Sequence, residues 1–326
     1  MLLILFASCK KNIDNEYTIL TNIPDGFPSI EVPSDNQFTI ERWNLGKDLF
    51  YEKMLSIDSS VSCATCHKQA FGFSDNVSKT NGVNSLAGTR NAPTLSNIGF
   101  QPYFTKEGGV ATLEQQVLIP IEEHNEMGFN ILDAGLRLNK IATYKEKSIK
   151  SYQREMDYYV ITRAISCFER SLISSNSAYD LWLNEEGQLN SSALRGKDLF
   201  YSSKTNCSSC HSDILFTNFG FYNNGLYLEY EDKGRFRLTQ DSIDIGTFKV
   251  PTLRNIAVSA PYMHDGSLNT LRDVLKHYNS GGNNHANKSK FIKTLNLNES
   301  EINDLISFLE SLTDYEFINN KIFKNE

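Results

Sequence analysis

Apolar residues recur at helical spacing over three long stretches of the chain. Between Tyr152 and Ser171, Met156, Tyr159, Val160, Ala164, Cys167 and Phe168 share one side with charges between them. That pattern predicts a long packed helix in which Cys167 is a buried structural thiol. The same period runs from Leu268 to Tyr278 and from Glu301 to Leu312, and predicts two more helices. Two-residue alternation is scarce, the one candidate being a hairpin around Phe219 to Tyr230, and Leu181 to Ser192 reads as a linker. The expected fold class is mainly α.

The chain repeats itself. Gly46-Lys47-Asp48-Leu49-Phe50-Tyr51 returns unchanged as Gly196-Lys197-Asp198-Leu199-Phe200-Tyr201, each copy closing a helix-like segment. Each is followed by Cys-x-x-Cys-His: Cys63, Cys66 and His67 in the first half, Cys207, Cys210 and His211 in the second. Two modules related by internal duplication are expected, and 326 residues suit two domains. The boundaries fall at 1–24 for a leader and tether, 25–185 for the first module and 186–326 for the second.

Composition narrows the class. Hydrophobic residues make up 40%, charged residues 22%, and the net charge is -7, ordinary values for a folded globular chain. Acidic and basic residues are interspersed, so no basic stripe addresses a phosphate backbone, and nucleic acid is not an expected partner. Leu2 to Ala7 is too short an apolar run to span a bilayer. Phe6-Ala7-Ser8-Cys9 resembles a bacterial lipoprotein cleavage site, with an ordinary secretory signal as the alternative. Either reading predicts export, and the first adds a lipid tether at Cys9 in the periplasm.

Cys-x-x-Cys-His is the attachment signature of c-type haem: two thioethers and a proximal imidazole on one turn of chain. A redox dithiol or half a zinc site would use the same cysteines. The adjoining histidine, the doubled hexapeptide and the exported context favour two covalently bound haems. The remaining motifs are Arg90-Asn91-Ala92-Pro93-Thr94, Glu126-Met127-Gly128, and Val250-Pro251-Thr252-Leu253-Arg254-Asn255 leading into Ala260-Pro261-Tyr262-Met263-His264-Asp265-Gly266. From about Trp43 to Gly281 the chain resembles the bacterial dihaem cytochrome c peroxidase and MauG family.

That resemblance implies two cytochrome c-like haem domains, the first meeting peroxide and the second exchanging electrons. Family peroxidases that need reductive activation carry a capping histidine soon after the first haem. Lys68 to Thr89 holds none, so a five-coordinate haem at His67 is expected. The resemblance makes Glu126 the distal acid-base group and Gln116 its positioning donor, with Glu122, Glu123 and His124 as neighbours. It places Tyr278 as sixth ligand of the second haem, where classical peroxidases have methionine. A purely packing role for Tyr278 on the stripe of Leu271, Val274 and Leu275 is the alternative. Met263 is then a neighbour of that haem, His277 faces elsewhere, and His264 is a pocket residue. Asn91, Ser259 and Pro261 match the positions that hold a calcium ion. One departure stands out: where the family has an inter-haem tryptophan, this chain has Lys106-Glu107-Gly108-Gly109, leaving Tyr103 or Phe104 as aromatic relays.

The expected function is reduction of hydrogen peroxide with electrons from a small periplasmic cytochrome c or cupredoxin. The alternatives are a MauG-like enzyme that oxidises residues of a partner protein, and a dihaem electron carrier without enzymatic activity.

Overall fold

The structure is a computed structural model that describes residues 22–325; the leader and Cys9 lie outside the described residues. Twelve α-helices appear among the described residues: α1 Ile40–Tyr51, α2 Cys63–Cys66, α3 Leu113–Glu122, α4 Ile131–Leu138, α5 Ala142–Tyr152, α6 Tyr158–Arg170, α7 Ala178–Leu183, α8 Ser191–Phe200, α9 Phe236–Thr239, α10 Leu271–Ser280, α11 Glu299–Glu310 and α12 Tyr315–Asn319. Two short strands, β1 Phe221–Tyr222 and β2 Phe248–Lys249, pair antiparallel. The mainly helical class is as expected.

Local chemistry sets the helix ends. Thr39 caps α1 by accepting from Arg42 N, and Thr270 with Asp273 forms a capping box on α10, which Gly281 terminates at φ 82. Such caps satisfy backbone donors that the first turn leaves free. Three expectations need adjustment. The helix foreseen from Tyr152 to Ser171 is broken: Gln153 takes a left-handed conformation that ends α5, and Asp157 caps α6 by accepting from Val160 N. The candidate hairpin at Phe219 to Tyr230 does not form, because β1 pairs with β2 instead. The linker is shorter than read, since Leu181 to Leu183 belong to α7 and Ser191 opens α8.

The duplicated hexapeptide marks two helix crossings. α1 crosses α6 at Gly46, where an added Cβ would lie 1.9 Å from the Ala164 carbonyl oxygen and 3.0 Å from Phe168 Cβ. α8 crosses α11 at Gly196, where it would lie 1.9 Å from the Asp304 carbonyl oxygen and 2.9 Å from Phe308 Cβ. The phenylalanine one turn later completes each crossing, with Phe50–Phe168 and Phe200–Phe308 ring centroids both 5.1 Å apart. Each pair then meets an aromatic from beyond the Cys-x-x-Cys-His turn, Phe73 at 6.0 Å and Phe216 at 6.1 Å.

Two apolar cores follow, one around Phe50, Phe73 and Phe168, the other around Phe200, Phe216 and Phe308. The chain end returns to the first: Phe317, Ile318 and Phe323 are buried there, Tyr51 donates to the Phe323 carbonyl at 2.8 Å, and Gln69 donates to that of Phe317 at 3.0 Å. In the second module a buried Arg254 guanidinium makes two 2.8 Å bonds to Asp180.

A Cβ at either crossing would enter a backbone carbonyl, and overpacking of this kind costs about 1–3 kcal/mol or more. Gly46→Ala and Gly196→Ala are therefore each expected to lower the denaturant midpoint of the haem-loaded protein. Unchanged midpoints in urea titrations would remove this account of the repeat.

Candidate functional site

Each Cys-x-x-Cys-His turn holds its imidazole in the same way. His67 Nδ1 bonds the Phe73 carbonyl at 2.9 Å and His211 Nδ1 bonds that of Phe216 at 3.0 Å. The accepting residues sit at φ 57 and φ 52, which turns both carbonyls back toward the imidazoles. A carbonyl accepts only from N–H, so Nδ1 carries the proton and Nε2 is left with its lone pair. Burial lowers the pKa of His67 and takes that of His211 down to about 4, so both rings are neutral, as a metal ligand must be.

The cysteines are free and half-buried. Burial pushes the Cys66 and Cys210 thiols up to about 11 and raises Cys63 and Cys207 as well. A redox dithiol needs the opposite shift. Among the described residues no three His, Cys, Asp or Glu side chains converge as a metal-ion cage would require. Paired thiols and a neutral imidazole on the wall of one cavity fit a haem.

That cavity encloses about 720 Å³ including its mouth, and Cys63, Cys66, His67, Gln116 and Glu126 all line it. Gln116 projects from α3, and its buried Oε1 has no hydrogen-bond partner among the described residues. Glu126 sits in the turn after α3, where its amide donates to the Glu123 carbonyl at 2.9 Å. Its side chain opens onto the cavity, and desolvation, with Glu123 nearby, raises its pKa. Glu122, Glu123 and His124 are exposed and do not line the cavity.

The histidine-free loop folds against this turn. Val83 N donates to the Glu126 carbonyl at 2.8 Å, and a Cβ on Gly82 would lie 2.1 Å from the Asn125 carbonyl oxygen. The loop thus presents Gly82 and Thr80 to the cavity, and His67 is the one imidazole on its wall.

Glu169 also lines the cavity, a residue that neither motif nor period had singled out. Its neighbour Arg170 turns away to pair with Glu114 at 2.6 Å. Burial, with Glu114 adding to it, takes the Glu169 carboxyl up to about 8. The signal that could have found it is the repeat: Phe168 matches Phe308, so Glu169 stands where the second module has Leu309.

In the second module Tyr278 and Cys207 both pack against the second core, and burial raises the Tyr278 hydroxyl to about 12. Met263 Sδ accepts from Asn224 Nδ2 at 3.2 Å. His277 Nε2 bonds the Asn224 carbonyl at 3.1 Å, away from Tyr278. His264 stacks on Phe248 with centroids 4.2 Å apart, and its carbonyl accepts from Asn91 N at 3.0 Å. Asn91 is buried and spends its side-chain NH₂ on the Val77 carbonyl at 3.1 Å, leaving Oδ1 for another partner. Pro261 lines an open cleft with Asn76, Ser78 and Asn269, and Ser259 precedes it by two positions.

Between the modules, the stretch from Lys106 to Gly109 brings charge, as its sequence implies. Arg90 pairs with Glu107 at 2.5 Å and with Asp232 at 2.5 Å. Burial takes Lys106 down to about 8 and Lys249 to about 7, the like charges of Arg90 and Lys106 respectively adding to it. Of the two candidate relays, Tyr103 stacks on Phe221 at 5.2 Å and Phe104 is buried in the first core.

Two cytochrome c-like modules, each with its haem-binding turn and one with an open cavity, define a dihaem cytochrome. The family model for di-haem cytochrome c peroxidase matches residues 40–188 and that for cytochrome c matches 193–313. The methylamine utilization protein MauG of Methylophilus methylotrophus is 33% identical over 292 residues, 89% of this chain and 86% of that protein. Cytochrome c551 peroxidase of Nitrosomonas europaea is 31% identical over 275 residues, 82% of this chain and 79% of that one. The crystal structure of a MauG-like protein associated with microbial copper homeostasis superposes with a TM-score of 0.89 at 32% identity, covering 93% of this chain and 98% of that one. The chain belongs to the dihaem cytochrome c peroxidase/MauG family; it is an oxidoreductase with haem cofactors.

Glu169 takes up a proton on folding, because its folded pKa lies above the unfolded value of ~4.3. Its burial therefore costs stability as pH rises from ~4.3 through about 8, and costs nothing below that window. Glu169→Gln should be more stable than wild type at pH 8 to 9, the gap closing toward pH 4. Urea titrations at both ends of the range test this, and a pH-independent gap would contradict it.

Proposed function

We propose that this protein is a periplasmic peroxidase that reduces hydrogen peroxide to water, drawing electrons one at a time from a small cytochrome c or cupredoxin. The balance is one peroxide, two electrons and two protons to two waters. The supporting observation is the first-module cavity, lined by a neutral imidazole, a carboxyl with a raised pKa and a buried glutamine oxygen without a hydrogen-bond partner among the described residues.

Haem c would be held by Cys63, Cys66 and His67 in residues 25–185, and by Cys207, Cys210 and His211 in residues 186–326; when bound, it supplies the redox-active iron. His67, its Nδ1 fixed by the Phe73 carbonyl, offers Nε2 as the proximal ligand. Lys68 to Thr89 brings no imidazole to the cavity, so peroxide would have access to the bound haem beside Glu126. Glu126 takes a proton from the near peroxide oxygen and returns it to the departing one, a task suited to a carboxyl whose pKa is raised toward the working pH. Gln116 orients the peroxide by hydrogen bonding from its amide.

Tyr278 would be the sixth ligand of the second haem, with His264 and Met263 as its neighbours. Asn91 Oδ1 and the carbonyls of Ser259 and Pro261 offer oxygen ligands to a calcium ion. Cys9 would carry the lipid. Among the described residues no helix is long and apolar enough to cross a membrane.

A MauG-like reading is favoured by Tyr278, which packs with Cys207 against the second core, since an anionic oxygen ligand supports higher oxidation states than a thioether. Peroxide-dependent gain of mass on a partner protein, with no cytochrome added, would select it.

Steady-state oxidation of a reduced cytochrome by peroxide tests the peroxidase. Glu126→Gln should cut the rate by at least about 10²-fold while the resting spectrum of the first haem stays as in wild type. Unimpaired turnover would remove Glu126 from the mechanism. A resting spectrum showing two protein ligands on the first haem, retained on reduction, would leave only electron transfer.

A further inference from the structure

Asn224 lies just beyond β1, between the buried Asn223 and Gly225. Its side-chain oxygen is committed to its own loop, accepting from Leu226 N at 3.1 Å. Its backbone carbonyl accepts from His277 Nε2 at 3.1 Å, which ties the loop to α10 one residue before Tyr278. Asn283 N closes the same junction by donating to the Gly225 carbonyl at 2.7 Å. The carboxamide therefore cannot flip, and its NH₂ is directed toward two of this module's candidate haem ligands. One is the Met263 sulfur, 3.2 Å away; the other is the hydroxyl of Tyr278, the residue after His277 on α10, whose burial-raised pKa the same side chain partly offsets. An amide nitrogen has two donor hydrogens and accepts nothing, so it can serve both partners at once.

We propose that Asn224 is a positioning residue for the second haem: its NH₂ donates to the Tyr278 oxygen, holding it as the ligand, and to the Met263 thioether, holding that sulfur off the iron. The inference rests on the reading of Tyr278 as ligand. Donation to an anionic oxygen withdraws electron density from it, which weakens its push on ferric iron and raises the reduction potential. The asparagine would thus moderate the low potential that a phenolate imposes, so that the second haem can still accept an electron from a donor protein.

The test uses the haem-loaded chain as wild type, Tyr278→Phe, Met263→Leu, Asn224→Leu and Asn224→Leu/Met263→Leu. Low-temperature electron paramagnetic resonance and spectroelectrochemical titration of the second haem are the readouts. Tyr278→Phe should lose the phenolate-to-iron charge-transfer band, and Met263→Leu should keep it. In the double variant, where no thioether can take over, the ferric–ferrous equilibrium should move toward ferric by about tenfold, or about 59 mV downward for one electron. Asn224→Leu alone should show a methionine-type signal.

Asn224→Asp, which keeps the bond to Leu226 N but has no donor, provides the same downward shift if the leucine variants fail to incorporate haem. A wild-type potential in the double variant or in Asn224→Asp, with the band lost in Tyr278→Phe, overturns the role of Asn224 alone. An unchanged spectrum in Tyr278→Phe overturns the ligand reading and this inference with it.

Discussion

Two helix crossings without a Cβ carry the architecture. At Gly46 and Gly196 the partner helix brings a carbonyl oxygen to within 1.9 Å of where a methyl carbon would sit, so only glycine permits the approach. Close crossing brings Phe50 onto Phe168 and Phe200 onto Phe308, and these pairs receive Phe73 and Phe216. The carbonyls of those same two residues orient His67 and His211. A backbone contact between helices thus fixes the direction of each imidazole lone pair through one layer of aromatic packing.

The structure extends the duplication beyond the hexapeptide. Pro93-Thr94-Leu95-Ser96-Asn97-Ile98 and Pro251-Thr252-Leu253-Arg254-Asn255-Ile256 fold alike. Thr94 and Thr252 donate to the carbonyls of Gly72 and Leu215 at 2.5 and 2.6 Å, and Asn97 and Asn255 take left-handed φ of 62 and 60. Against this shared frame the differences are chemical. The first module adds a cavity with Glu126, Gln116 and Glu169; the second has Leu309 at the place of Glu169 and packs Tyr278 against its core. In the second copy Arg254 replaces Ser96 and pairs with Asp180 in the interior. Removal of either partner would strand a buried charge, so the pair holds α7 to this loop.

The contact between modules is electrostatic at the position where the family has tryptophan. Arg90, Glu107 and Asp232 form a linked set of ion pairs, and two lysines with lowered pKa lie beside it. Opposite charges at this depth have few other partners, which fixes the register of one module on the other. The return of Phe317, Ile318 and Phe323 to the first core adds an apolar fastening.

Much of this was legible along the chain, because haem attachment and helix crossing both depend on residues close in sequence. Cys63, Cys66 and His67 occupy one turn, and Gly46 and Phe50 are one helical turn apart, so the local pattern alone determined two modules and their haem-binding turns. Tertiary structure decided what depends on residues far apart. Asn224 meets Met263 and His277 only because the loop after β1 docks on α10; Glu169 faces the cavity while adjacent Arg170 does not; β1 found β2 rather than a hairpin partner. Short-range pattern records which face of a helix is apolar, whereas the neighbours of a buried polar group are set by how separate elements dock, and docking leaves no periodic trace in the chain.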